Sequence, residues 1–178
     1  MLAHAGYYPW LLWNHVRWKL DPKRPHWDAI DEVVIMGKMP LLRHVPALAT
    51  LGVRGVVNMC EEYPGPLAAY REAAIEQLHL PTIDFTIPSY EDLVRGAAFI
   101  RAHAERGERV YVHCKAGRGR SATLVLCWLI ERHGIEPEEA QRRLRAIRPK
   151  IVDGLWRREP VQRYASVIRS GAGSRSPR

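Results

Sequence analysis

The chain has 178 residues, 47% of them hydrophobic, enough to bury the core of one domain of ordinary size. Its 27 Lys and Arg against 19 Asp and Glu leave a net charge of +8, which suits a phosphorylated substrate, an anionic membrane or nucleic acid without choosing among them. Three cysteines, Cys60, Cys114 and Cys127, lack paired metal-ligand spacing and argue against a disulfide framework or a zinc site, and no apolar run reaches the ~18 residues of a spanning helix.

The first stretch with a pattern runs from Tyr7 to Lys19, where Trp10, Leu12, Trp13, Val16 and Leu20 fall near one helical side beside Arg17 and Lys19. Aromatic rings with basic neighbours suit a membrane interface; an accessory helix packed on the domain and an organelle-targeting signal are the other readings. Asp21-Pro22-Lys23-Arg24-Pro25 breaks the helix, so the expected organisation is an extension over 1–26, a catalytic domain over 27–169 and a Gly, Ser and Arg tail over 170–178.

Within the domain, Glu32 to Gly37 and Gly55 to Met59 read as short buried strands, with a helical pattern from Val45 to Leu51 between them. The second strand ends in the polar loop Cys60-Glu61-Glu62-Tyr63-Pro64-Gly65-Pro66. In open α/β sheets ligands bind outside the carboxyl ends of strands, which puts Glu61 and Glu62 near a candidate site; an exposed acidic turn is the alternative. Cys60 reads as a small buried hydrophobe, with redox pairing to Cys114 as the rival role.

Leu67 to Ala74 reads as helix, Glu76 to Leu80 as strand, and Pro81 to Pro88 as an irregular loop that carries Asp84. Ser89 and Asp92 then resemble a capping box ahead of Leu93, Ala97, Ile100 and Ala104 at helical spacing. Leu124 to Ile130 lacks a polar face and predicts a central buried helix stopped by Gly134, with Cys127 in the core. Pro137 starts another helix with Ala140, Leu144 and Ile147 inward and Arg142, Arg143, Arg145 and Arg148 on a solvated face. Nucleic acid is not the expected partner, because no aromatic residues interleave with those arginines. Pro160 to Ile168 closes the domain as a last helix.

The densest signal is His113-Cys114-Lys115-Ala116-Gly117-Arg118-Gly119-Arg120-Ser121, between the strand-like Val110-Tyr111-Val112 and the helix-like run from Ala122 to His133. A strand that feeds a tight loop and a helix N-terminus offers unpaired N–H groups and the positive end of the helix dipole to an anion. Gly117 and Gly119 let successive N–H groups turn inward, and Lys115, Arg118 and Arg120 make the rim cationic. A thiol in that field ionises below the ~8.5 of a free cysteine, which makes Cys114 a nucleophile. Arg120, six positions later, brings a planar fork over equatorial phosphate oxygens.

A Cys, five residues, then Arg and Ser, with His before the Cys, resembles the signature of the cysteine-dependent protein tyrosine phosphatase superfamily. The stretch from Trp27 to about Ser166 is similar to its mitochondrial-type dual-specificity branch, the phosphatidylglycerophosphate phosphatases. Ile30 to Gly37, Asn58-Met59-Cys60-Glu61-Glu62-Tyr63 and Val112 to Thr123 carry that resemblance, and the sequence departs from it at Pro64-Gly65-Pro66.

The resemblance implies an α/β fold with a mostly parallel central sheet flanked by helices, and two-step phosphomonoester hydrolysis through a phosphocysteine on Cys114. No metal and no cofactor are expected. Lys115 to Arg120 would bind phosphate and Ser121 would assist breakdown of the intermediate, with His113, Glu61 and Glu62 in support. Cleaving an alkoxide requires a proton, and Asp84, in a Pro-framed loop at a strand end, is the expected general acid. The expected substrate is a phosphorylated anionic lipid, phosphatidylglycerophosphate, met by a monomer at a membrane surface: the mitochondrial inner membrane in a eukaryote, otherwise the cytoplasmic membrane face. A dual-specificity protein phosphatase and a non-catalytic phosphate-binding membrane adaptor are the rival readings.

Overall fold

Side chains that alternate along three strands divide the core in two. Val34 and Met36, Val57 and Met59, and Val110 and Val112 pack on one side, while Ile35, Val56 and Tyr111 pack on the other. This is the period of two that a sheet covered on both faces requires. A computed structural model describes residues 26–172; the Tyr7 to Lys19 stretch lies outside the described residues.

The strands are β1 (Trp27–Ala29), β2 (Val34–Gly37), β3 (Val53–Cys60), β4 (Glu76–Thr82) and β5 (Arg109–His113), in the spatial order β1-β2-β5-β3-β4. All neighbours are parallel except β1, which pairs antiparallel with β2 through Trp27 opposite Gly37. Sequence periodicity does not find β1, since three residues are too few to show a period. Its turn is set by Asp31, whose carboxylate accepts the N–H groups of Val33 and Val34 at 2.9 and 2.6 Å and the Trp128 indole N–H at 2.7 Å.

The helices are α1 (Val45–Thr50), α2 (Leu67–Glu72), α3 (Tyr90–Glu105), α4 (Arg120–His133), α5 (Pro137–Ile147) and α6 (Glu159–Ala172). Helix α3 starts where Ser89 accepts the Asp92 N–H and donates its own proton to the Asp92 carboxylate at 2.9 Å. Residues Arg120 to Ile130 of α4 are all buried, and Gly134 ends that helix at a left-handed φ of +61°. Helix α3 crosses α4 at Gly96, where an added Cβ would lie 2.7 Å from both Leu124 methyls.

Two expectations change in α5. Ile147 is 39% exposed rather than inward. Arg148, expected on a solvated face, has an 11% exposed side chain that pairs with Asp28 and reaches the Met36 carbonyl. The physical reason is that α5 ends at Ile147, and Arg148 at φ −123°, ψ 84° leaves the helical spiral and turns back toward the sheet. Helix α6 in turn runs past Ser170 into the stretch read as tail.

Candidate active site

Strand β5 is central, and its carboxyl end delivers His113 and Cys114 into the loop that starts α4. The loop carbonyls are held by neighbouring segments and by the first turn of α4. Lys115 C=O accepts the Met39 N–H at 3.3 Å, Arg118 C=O accepts the Val152 N–H at 3.1 Å, and Gly119 C=O accepts the Thr123 N–H at 2.8 Å. With those carbonyls turned out, N–H groups turn in, which is the arrangement an anion nest requires. Gly117, at φ +65°, lies so close to the Gly37 carbonyl that a Cβ would collide with it.

Cys114 is 3% exposed. Burial alone would push its thiol up, yet the Arg120 charge, the Ser121 hydroxyl and the backbone N–H groups of Ser121 and Arg118 outweigh burial and hold it below its ordinary value. The Ser121 hydroxyl donates to Sγ at 3.2 Å. His113 is buried and pushed down to about 3, first by burial and then by its neighbours His26, Arg120 and His79, so its ring is neutral, stacked 5.7 Å from that of Tyr111.

Arg120 reaches across to the two neighbouring strand ends. Its Nη1 donates to Glu62 Oε2 at 3.0 Å and to the Met59 and Thr82 carbonyls at 3.3 and 2.7 Å, and its Nη2 donates to Glu62 Oε1 at 3.1 Å. Glu62 is 6% exposed at its side chain; although burial opposes ionisation, the hydrogen bonds from Arg120 hold its carboxyl below the usual range. Of the two glutamates, Glu62 holds the fork, while Glu61 is exposed. Arg120 Nε is buried without a hydrogen-bond partner. An orphaned donor beside Nη2 leaves one edge of the guanidinium for the oxygens of a phosphate.

Asp84 comes from the loop after β4. Its Oδ1 lies 2.8 Å from Arg120 Nη2 and its Oδ2 3.6 Å from Lys115 Nζ, with the side chain 32% exposed. The tertiary structure therefore gathers Cys114, Lys115, Arg120, Ser121, Glu62 and Asp84 from three strand ends.

Sequence reasoning missed two supports. Asn58 is fully buried and donates to the Tyr63 carbonyl at 2.7 Å while accepting the Cys60 N–H at 2.9 Å, which ties down the loop that presents Glu62. Its signal was a lone amide in an apolar strand. Arg148 is the second, braced behind Gly117 with no periodic signal to reveal it. Cys60 and Cys127 are buried free thiols pushed above their ordinary value, chiefly by burial. Among the described residues no group of three or more His, Cys, Asp or Glu is placed to hold a metal ion.

The dual specificity phosphatase catalytic domain matches residues 34–158. Phosphatidylglycerophosphate phosphatase PTPMT2 of Arabidopsis thaliana is 41% identical over 162 residues, covering 89% of this chain and 71% of that protein. Phosphatidylglycerophosphatase and protein-tyrosine phosphatase 1 of Homo sapiens is 41% identical over 160 residues, covering 84% of this chain and 79% of that protein. The crystal structure of PTPMT1 in complex with PI(5)P matches with a TM-score of 0.76 at 33% identity, covering 83% of this chain and 99% of that one.

Proposed function

The chain belongs to the dual specificity phosphatase family, and from that premise we propose that it hydrolyses the phosphomonoester of phosphatidylglycerophosphate to phosphatidylglycerol and inorganic phosphate. The observation that carries this reading is likeness along 89% of the chain to a phosphatidylglycerophosphate phosphatase, far beyond the cradle that any phosphate ester would need.

The Cys114 thiolate attacks phosphorus in line with the glycerol oxygen; the S–P bond forms, the P–O bond breaks, and that oxygen takes a proton from the Asp84 carboxyl. Arg120 Nε and Nη2 and the inward N–H groups hold the equatorial oxygens. Because Asp84 Oδ1 now sits on Nη2, the substrate phosphate must displace it from the guanidinium, which frees the carboxyl to face the leaving oxygen. In the second step water attacks the phosphocysteine, Asp84 accepts its proton, and the leaving thiolate is received by the Ser121 hydroxyl.

We place this chemistry at a membrane surface, on the mitochondrial inner membrane in a eukaryote and on the cytoplasmic membrane face otherwise, carried out by a monomer. No helix of the described residues is long and apolar enough to cross a membrane. Phosphate release from vesicles of phosphatidylglycerophosphate and phosphoinositides, compared with phosphotyrosyl and phosphoseryl peptides, tests the reading. The lipid should give the highest kcat/KM. A peptide that exceeds it would establish the protein phosphatase reading, which the protein-tyrosine activity in the human relative's name favours.

A further inference from the structure

Most large apolar side chains that the described residues leave in solvent surround the cradle. Leu42 is 66% exposed, Leu67 46%, Ile83 55%, Phe85 98%, Ile87 49% and Val152 44%. Leu42 follows β2, Leu67 follows the loop after β3, and Ile83, Phe85 and Ile87 follow β4, so five of the six leave the carboxyl ends of parallel strands. The sixth, Val152, donates its N–H to the cradle carbonyl of Arg118. An exposed apolar set gathered on one face marks an interaction surface rather than the scatter of an ordinary exterior.

Phe85 is the extreme case. A turn closed by the Thr86 N–H on the Ile83 carbonyl, at 3.1 Å, sends Asp84 inward to Arg120 and Phe85 outward. Phe85 holds φ +67°, a conformation that glycine adopts without strain and a bulky residue does not. Strained backbone and a bare aromatic ring are both unfavourable in water, and a medium that accepts the ring recovers the second loss.

We propose that this face docks on an anionic bilayer, with Phe85 entering the lipid between Ile83 and Ile87. Charge and depth commit the surface to that occupant. Exposed Arg43, Arg118 and Lys150 lie among the apolar side chains and match anionic headgroups. Of the exposed carboxylates near this face, Asp153 pairs with Arg145 and Glu91 lies 3.9 Å from Arg163, and Glu61 is a third. Cys114 lies 3% exposed beneath the rim, so a phosphate whose glycerol chain remains anchored reaches it only when the rim meets the headgroup plane. Docking thereby fixes the loop that carries Asp84. The inference rests on the reading that the substrate is presented by a bilayer.

Two measurements on the full chain test it. In a Cys114→Ser background, cysteines introduced as Phe85→Cys or, at the opposite end of the sheet, Leu51→Cys are labelled with an environment-sensitive fluorophore and mixed with phosphatidylglycerol or phosphatidylcholine vesicles. The label at position 85 should shift to the blue with phosphatidylglycerol and the label at 51 should not; equal shifts, or none at 85, overturn the proposal. Separately, Ile83→Ser/Phe85→Ser/Ile87→Ser should weaken sedimentation with phosphatidylglycerol vesicles and lower vesicular phosphatidylglycerophosphate turnover about tenfold or more, the loss expected when inserted apolar groups are removed. Turnover of the monomeric short-chain lipid should stay near wild type. Wild-type sedimentation by the triple variant overturns the docking face. A wild-type enzyme that leaves the short-chain lipid uncleaved overturns the substrate instead, and the fluorophore still reports on docking.

Discussion

Three buried thiols in one core show what decides the chemistry. Burial pushes Cys60 and Cys127 above their ordinary value, whereas Cys114, just as buried, is held below it by Arg120 and by hydrogen bonds to sulfur. Its folded pKa is depressed, so the thiolate persists as pH falls below the ordinary thiol range and is lost only when pH passes the folded value. Ser121→Ala removes one of those bonds and should move the pH profile of Cys114 alkylation up, while slowing phosphocysteine breakdown in pre-steady-state kinetics. Asp84→Asn should cost on the order of 10² to 10⁴ in kcat on an alkyl phosphate and far less on an aryl phosphate, whose leaving group needs little protonation. The glutamates separate by burial. Glu62→Ala removes both charge-assisted hydrogen bonds that hold the Arg120 fork, leaving Asp84 as its ion partner, and should destabilise the protein by about 1.5–3 kcal/mol with loss of activity, whereas Glu61→Ala should change stability by no more than about 0.5 kcal/mol, both read from denaturant unfolding.

At the scale of elements, the site is a product of strand ends. β5 sits between β2 and β3, so the cradle at its end is flanked by the turn that carries Met39, by Glu62 after β3 and by Asp84 after β4. The loop keeps its inward N–H groups because Met39 and Val152 take its carbonyls from outside and Thr123 takes that of Gly119 within the first turn of α4, and Gly117 fits because nothing extends from its Cα toward Gly37. Gly117→Ala therefore forces the loop outward. Turnover should drop by at least about 10², the loss expected when misplacement approaches 1 Å, while far-UV circular dichroism stays that of the wild type. Arg148 belongs to the same element-level logic, since its pairing with Asp28 joins the end of α5 to the β1 edge behind the cradle.

For the whole molecule, two core clusters among the described residues cover the sheet from its two faces. A chain that begins at His26 retains every residue placed at the site and should keep its kcat on a small soluble phosphate ester. If the Tyr7 to Lys19 stretch contributes to membrane encounter, the same truncation should weaken sedimentation with anionic vesicles, where each cation near the surface is worth about 1 kcal/mol. An unfolded truncated chain would instead show that the stretch packs on the domain.

Much of this was legible in the sequence, because local chemistry is written locally. The cradle is one unbroken segment in which glycines, cations and a helix start coincide, and the buried strands and α4 announce themselves by unbroken apolar runs. Ser89 and Gly134 mark helix ends through their own side-chain and backbone preferences. What the tertiary structure alone decided are the relations between distant segments: which glutamate reaches Arg120, that Asp84 lies on the same guanidinium, that Asn58 steadies the acidic loop and that Arg148 turns inward. None of these has a period or a spacing. They depend on the order in which parallel strands lie side by side, and that order follows from how both sheet faces are buried at once.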